Sequence, residues 1–195
     1  MSGRLIPGSV EIMTQEQHAK SDKLNVGCGT DIRPDFVNLD CVALPGVDVR
    51  HDVLQIPWPF PDASFVEILC LSVLEHVDLV PTMREIHRLL RVGGVVNITV
   101  PHFTAPTAYE DPTHRNHLSC GAFHFFTKAS NRPYYFDFQF ARVESVRLVF
   151  GLRKLFWWNY LLDKWVNRSF ARIALYESSP LRIFPASHFD VVLRK

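Results

Sequence analysis

Short apolar runs alternate with polar stretches along most of the chain. Leu24-Asn25-Val26 reads as a brief buried strand that ends at Gly27-Cys28-Gly29. Phe36-Val37-Asn38-Leu39 reads as a second strand ending at Asp40, and Val47-Asp48-Val49-Arg50 as a third ending near Asp52. Pro57, Pro59 and Pro61 then enforce a loop, because proline withholds an amide proton and fixes φ. Phe65 to Leu71 is a fourth strand. From about Val80 to Leu90 the pattern changes: Met83, Ile86, Leu89 and Leu90 recur at helical spacing, and Gly93-Gly94 is expected to stop that helix. Val95 to Val100 is a fifth strand, closed by Pro101. Strands alternating with helical stretches predict an α/β fold with a doubly wound, mostly parallel sheet. Ligands of such sheets sit beyond the carboxyl ends of the strands. Those ends are Gly27, Asp40, Asp52, Leu71 and Pro101.

The second half departs from this rhythm. Residues 102–127 are rich in His, Pro and Phe and hold no clean strand, so they read as an inserted segment. Val143 to Phe150 alternates roughly as a strand, Leu152 to Val166 is an apolar helix candidate, and His188 to Leu193 is a final strand. In the helix candidate, Leu155, Phe156, Trp157, Trp158, Tyr160, Leu161, Leu162, Trp165 and Val166 occupy far more than one face. Such a helix is either buried or meets another apolar surface. Burial within the domain, a homodimer face, and peripheral contact with a membrane or lipid-linked substrate all stay open. Residues 1–22 are polar without clear periodicity and read as a tail or flap. Residues 23–195 read as a single domain, whose length suits one core.

Composition narrows the classes. Hydrophobic residues make up 47% of the 195 and charged residues 21%, enough for a real core. A net charge of +1 argues against a nucleic-acid platform, which needs a basic excess or stripe. Cys28, Cys41, Cys70 and Cys120 form no CxxC pair, so neither a zinc ribbon nor a redox dithiol is expected, and reduced thiols in a cytoplasmic protein are. The N-terminal sequence has no long apolar stretch of the signal-peptide kind, and no run approaches the length of a membrane span.

Gly27-Cys28-Gly29 directly follows a strand, where glycines let backbone approach a ligand closely. Asp40 ends the next strand, where a carboxylate can accept both hydroxyl protons of a ribose. Asp52 ends the one after, where a carboxylate can accept from an exocyclic amine. A helix cap is the competing role for each acid.

Together these residues become recognisable. Leu24-Asn25-Val26-Gly27-Cys28-Gly29-Thr30 resembles the glycine motif of class I S-adenosylmethionine-dependent methyltransferases, of the type 11 kind. Asp52-Val53-Leu54 with Ile56 to Phe65 resembles the family's segment between its third and fourth strands. Val73-Leu74-Glu75-His76-Val77 is similar to its signature after the fourth strand, and Arg84 to Gly94 to its helix and turn before the fifth. The resemblance implies that residues 23–100 form the cofactor-binding half and 101–195 the substrate-side half. It implies S-adenosylmethionine as cofactor, with Gly27, Cys28 and Gly29 passing its methionine part. Asp40 would hold the ribose hydroxyls, Asp52 and Val53 the adenine, and Leu71 and Ser72 would line the methionine side. Asn25 joins this set where the family often has an acid near the methionine ammonium. Only about ten residues separate Gly29 from Asp40, so the usual first helix must be very short or absent.

The densest polar cluster, His102 to His124, follows the fifth strand and should lie over the methyl donor. His114 or His102 could be a general base for a substrate hydroxyl, with Asp111 beside them, because imidazole titrates near neutrality. Alternatively, His102, Asp111, His114 and His117 bind a metal. In a third reading Asp111 caps a turn and the histidines pack. Glu75 and His76 are further candidates. The reaction expected is methyl transfer to a small-molecule, glycan or lipid-linked acceptor, with oxygen slightly preferred as the acceptor atom. The alternative is a catalytically silent cofactor-binding module that acts through a partner protein. A dinucleotide enzyme is the weaker rival, because Gly27-Cys28-Gly29-Thr30 lacks the continuation of that fingerprint.

Overall fold

The structure is a computed structural model describing residues 21–132, 134–151 and 157–195. The tail or flap expected over residues 1–22 lies, apart from its last two residues, outside the described residues.

Seven strands form one sheet: β1 (Lys23–Val26), β2 (Val37–Asp40), β3 (Val49–Arg50), β4 (Phe65–Leu71), β5 (Leu90–Pro101), β6 (Arg142–Val149) and β7 (His188–Arg194). Their order is β3-β2-β1-β4-β5-β7-β6. All neighbours pair in parallel up to β5, and β7 runs antiparallel to both β5 and β6. The order reverses between β1 and β4, and at such a switch point two loops leave in opposite directions and open a crevice. The core is continuous through the sheet. Leu24, Leu39, Ile68, Val96, Ile98, Phe189 and Val191 are essentially inaccessible, which explains why these strands read as apolar runs.

Helix α1 (Leu79–Leu89) packs Met83, Ile86 and Leu89 into the core. Residues 27–36, between β1 and β2, form a loop and no helix, as the short spacing from Gly29 to Asp40 predicts. Two buried amides hold it. Asn25 Nδ2 donates to the Asp31 carbonyl at 2.8 Å and to Asn38 Oδ1 at 3.1 Å. Asn38 Oδ1 also accepts from the Arg33 amide at 3.0 Å, and Asn38 Nδ2 donates to the Arg33 carbonyl at 3.0 Å and to Asp48 Oδ2 at 3.1 Å. Buried loop backbone must find partners, and this pair supplies them where a helix would have satisfied its own.

One boundary differs from expectation. Gly93-Gly94 does not end α1. The helix stops at Leu89, Leu90 takes extended backbone with φ −70° and ψ 139°, and β5 runs through both glycines. The pairing with β4 shifts register beside Phe65 and Glu67. There Gly93 takes φ +82°, and a Cβ on Gly94 would meet the carbonyls of Arg91 and Val66 at 3.0 Å. The doublet serves a β-bulge, which needs a residue at positive φ and close backbone approach.

After β5 come the short helix α2 (Thr107–Glu110) and a 3₁₀ segment over Cys120–Phe126. Helix α3 (Trp158–Val166) occupies part of the apolar stretch, whose residues 152–156 lie outside the described residues. Its facing inverts the simple pattern. Asn159 and Asp163 are buried, whereas Trp157 beside it is 68% exposed, Tyr160 49% and Leu161 55%. Asn159 Nδ2 donates to the Gly151 carbonyl at 2.7 Å, which explains why a polar side chain points inward. Helix α4 (Phe170–Ser178) follows, capped by Ser169, then a 3₁₀ turn over Pro180–Ile183.

Candidate active site

The glycine loop lies at the switch point. Gly27 takes φ +59°, and a Cβ there would sit 2.7 Å from Val73 Cγ2. Only glycine accommodates both the left-handed backbone and the approach of the chain leaving β4. Gly29 takes φ +48°, but a Cβ there would meet nothing within 4 Å. Its surroundings are open space at the carboxyl end of β1. The Cys28 amide donates to the Leu39 carbonyl at 3.0 Å, tying the loop to β2. The Cys28 side chain is buried, and burial with the nearby Asp40 pushes its thiol up to about 11. Cys70 and Cys120 are buried as well, whereas Cys41 is exposed.

Asp40 caps this loop. Its Oδ2 accepts from the Gly29 amide at 2.8 Å and its Oδ1 from the Val42 amide at 2.9 Å. Asp52 Oδ1 accepts from the Leu54 amide at 2.9 Å, and the Val53 carbonyl accepts from Trp58 Nε1 at 3.0 Å. At the end of β4, the Ser72 amide donates to the Thr99 carbonyl at 2.8 Å, and Ser72 takes φ +57°. Gly27, Gly29, Asp40, Asp52, Leu71 and Ser72 therefore share one edge of the sheet. Asn25 stands apart in function: both protons of its amide are committed to Asp31 and Asn38, and it organises the loop from beneath.

The histidine segment comes back over the exit of β4. Asn116 Nδ2 donates to the carbonyls of Leu74 and Val77, both at 2.7 Å, and the Arg115 amide donates to the Glu75 carbonyl at 2.7 Å. This docking brings Glu75, His76 and His114 together. One carboxylate oxygen and one ring nitrogen from each histidine lie within 4.8 Å of one another, and the two imidazoles meet edge to face at 4.6 Å. Glu75 is buried, its Oε2 has no hydrogen-bond partner, and burial pushes its carboxyl above the usual range.

The ring partners fix both tautomers. His76 Nδ1 lies 2.9 Å from Thr113 Oγ1, whose own proton goes to Asp111 Oδ1 at 2.6 Å. Thr113 therefore accepts, so Nδ1 carries the proton and the neutral ring keeps its lone pair on Nε2. His114 Nδ1 lies 3.2 Å from the Ala108 carbonyl, which can only accept, so His114 holds the same tautomer. Asp111 acts through Thr113: the hydroxyl and amide of Thr113 hold the Asp111 carboxyl below its ordinary value. Its Oδ2 is 3.9 Å from His114 Nε2.

The other histidines lie elsewhere. His102 is fully buried, with Nε2 donating to Glu177 Oε1 at 3.0 Å and Nδ1 at 2.7 Å from Thr104 Oγ1. Glu177 also accepts from the Cys120 amide at 2.8 Å. Burial raises the Glu177 carboxyl, but these two donors bring it below its ordinary value. His117 is exposed and stacks on Tyr109. The four-residue metal set of His102, Asp111, His114 and His117 is thus not assembled. The cluster that does form takes Glu75 and His76 from the β4 signature, a long-range pairing that sequence spacing does not encode.

Beside this cluster lies an apolar cavity of about 410 Å³, lined by Ala105, Pro106, Thr107, Trp158, Phe184 and Ala186 among others. Helix α2 separates the two: Thr107 lines the cavity and the Ala108 carbonyl holds His114.

Comparison with known proteins bears on the fold. Residues 17–98 match the family model described as a methyltransferase domain. No curated protein sequence matches. Among solved structures, a SAM-dependent methyltransferase from Archaeoglobus fulgidus superposes with a TM-score of 0.58 at 14% identity, covering 90% of this chain and 86% of that one. A methyltransferase from Mesorhizobium loti gives 0.50 at 16% identity, with 89% and 90% covered. The putative methyltransferase complexed with the Trm112 methyltransferase activator of Haloferax volcanii gives 0.51 at 15% identity, with 92% and 87% covered.

Proposed function

We propose that this chain, a class I S-adenosylmethionine-dependent methyltransferase, methylates a hydroxyl group of an acceptor that carries an apolar portion, such as a lipid-linked glycan. The single observation that carries the acceptor side is the Glu75, His76 and His114 cluster beside the apolar cavity. Bound S-adenosylmethionine supplies an electrophilic methyl group on a sulfonium.

The chain's own residues fit that cofactor. A carboxylate offers about four acceptor positions, and the amides of Gly29 and Val42 use two of those on Asp40. Capacity remains for two ribose hydroxyls. Asp52 has Oδ2 for an adenine amine, with the Val53 backbone beside it. The open space at Gly29 suits the methionine part, with Gly27, Cys28, Leu71 and Ser72 assigned to its border. Asn25 supports the loop rather than the ligand, with Oδ1 as its one remaining polar atom.

On the acceptor side, the unprotonated Nε2 atoms of His76 and His114 suit a hydroxyl, whose proton must leave as oxygen becomes the nucleophile. Asp111 and Thr113 orient His76. His102 positions the segment through Glu177 and Thr104 rather than touching substrate. The apolar cavity suits the hydrocarbon part of an acceptor. Trp157, Leu161, Ile183 and Phe184 are exposed on or near α3, and Lys164, Arg168 and Arg182, close to them in sequence, are exposed too. Exposed aromatic residues with cations nearby in sequence suit peripheral contact with a membrane that carries such acceptors. No helix among the described residues is long and apolar enough to cross one.

The test is incubation with methyl-labelled S-adenosylmethionine and lipid-extracted glycan fractions. Label should enter a lipid-extractable product as an ether. His114→Ala should lower turnover by about 10²–10⁴-fold while leaving cofactor affinity intact. Label confined to water-soluble amines would overturn the reading.

A second reading has one observation behind it. The Haloferax volcanii neighbour is complexed with an activator protein, and the exposed apolar residues of α3 could seat such a partner here. Turnover appearing only after a partner protein is added would favour it.

A further inference from the structure

We infer that Glu75, His76 and His114 form a binding site for one divalent transition-metal ion, of the zinc type, on the acceptor side of the sheet edge. This rests on the reading of that cluster as the acceptor site and changes how it acts: an ion takes the place of the imidazole base, because an Nε2 lone pair held by a metal cannot also accept a proton.

Three observations converge. First, the donor set is two imidazoles and one carboxylate, the composition of catalytic zinc sites that keep a fourth position open. Second, each histidine is locked by its Nδ1 partner. Thr113 receives the His76 proton and is itself tied to Asp111, and the Ala108 carbonyl receives the His114 proton. Metal-binding histidines are oriented in this way, by a carboxylate-linked group or a backbone carbonyl on the other nitrogen. The ring atom left for an ion is the unprotonated Nε2 in both. Third, Glu75 Oε2 is buried and lacks a hydrogen-bond partner. A buried polar atom without a partner is costly, and a cation bound there would offset that cost.

The geometry needs little adjustment. An ion about 2.1 Å from each donor requires donor separations of about 3.4 Å. One carboxylate oxygen of Glu75 and one ring nitrogen of each histidine lie within 4.8 Å of one another, so a set built on those atoms must close by at most about 1.4 Å. The neighbouring set of His102, Cys120 and Glu177 also lies within ligand spacing. It is the poorer site, because both His102 nitrogens and the inner Glu177 oxygen already have partners.

The ion's role follows from its open position. An acceptor hydroxyl bound there would release its proton to solvent more readily, since a divalent cation lowers the pKa of a bound hydroxyl group. The oxygen then forms the new C–O bond as the C–S bond of the donor breaks, and sulfur keeps the electron pair. The products are the methyl ether, the neutral thioether and one proton.

The test uses the full-length protein after dialysis against a chelator. Zinc chloride is titrated calorimetrically, and cobalt(II) is added in parallel to read coordination from its visible spectrum. One ion per chain should bind, with a tetrahedral cobalt spectrum. Glu75→Gln, which keeps side-chain shape, and His114→Asn should abolish binding while melting temperatures show both folded. Thr113→Val should weaken binding by about 10–100-fold, as loss of an outer partner does. Absence of binding by the wild type would overturn the site. So would binding that survives Glu75→Gln and is lost in Cys120→Ser. Turnover of a hydroxyl acceptor without any bound ion would also overturn it, yet leave the proposed reaction standing. An ion bound at the cluster with label transferred only to amines would do the reverse.

Discussion

At the residue scale, the two motif glycines do different work although they stand two positions apart. Gly27→Ala meets positive φ and a Cβ contact of 2.7 Å to Val73. It should destabilise the fold by about 2–4 kcal/mol, combining left-handed strain with overpacking. Gly29→Ala meets positive φ and open space, so it should cost about 1–2 kcal/mol of stability and lower cofactor affinity more than Gly27→Ala does in the folded fraction. Denaturant titrations and calorimetry on the two variants separate the roles, and equal stability losses would contradict them. Asp40 carries two loads as well. Asp40→Ala removes acceptors from the Gly29 and Val42 amides and, in the proposed binding mode, from a ribose. Cofactor affinity should fall by about 2–4 kcal/mol, and stability by about 1 kcal/mol. Unchanged affinity would move the ribose contact elsewhere.

At the scale of elements, the helix before the fifth strand owes its motif to structure rather than chemistry. Glu85 is buried, accepts from the Trp58 amide at 2.6 Å, and pairs with Arg88 at 2.5 Å. Arg88 in turn donates to the Phe60 carbonyl and to Asp62. The pair clamps the proline-rich loop onto α1. Because Arg88 is partly exposed, Glu85→Ala should cost about 2–4 kcal/mol, somewhat below the loss from breaking a fully buried pair. A denaturant midpoint unchanged from wild type would show that the loop is held otherwise. Strand positions were legible in the sequence because buried strands of a parallel sheet are apolar throughout, as in Ile68 to Cys70. Local glycines misled at Gly93-Gly94, where a bulge and a helix stop leave the same trace. The loop that replaces the first helix was legible from its length, but its support by Asn25 and Asn38 was not, since a buried amide pair has no periodicity. Glu75, His76 and His114 were each noticeable, whereas their meeting depends on docking between segments 37 residues apart, as for His76 and Thr113. Helix α4 left too weak an apolar stripe to stand out.

At the scale of the whole molecule, two histidines tie stability to pH. Burial lowers His87, aided by Lys195, and burial lowers His124. Each stays neutral in the folded state at pH values where the unfolded chain takes up a proton. A depressed histidine contributes stability that is fully present above the unfolded value near 6.5 and is lost as pH falls through that window. Melting temperature should therefore drop between pH 7.5 and 5.5, and His124→Phe should flatten the slope. A slope unchanged in that variant would assign the dependence to other groups. The sheet edge that gathers Gly27, Gly29, Asp40 and Asp52 carries the central claim, and one measurement tests it most directly. Calorimetric titration of the purified chain with S-adenosylmethionine, S-adenosylhomocysteine and NAD should show one equivalent of each methionine-derived ligand bound and no response to NAD. Binding of NAD with no response to the other two would contradict the account.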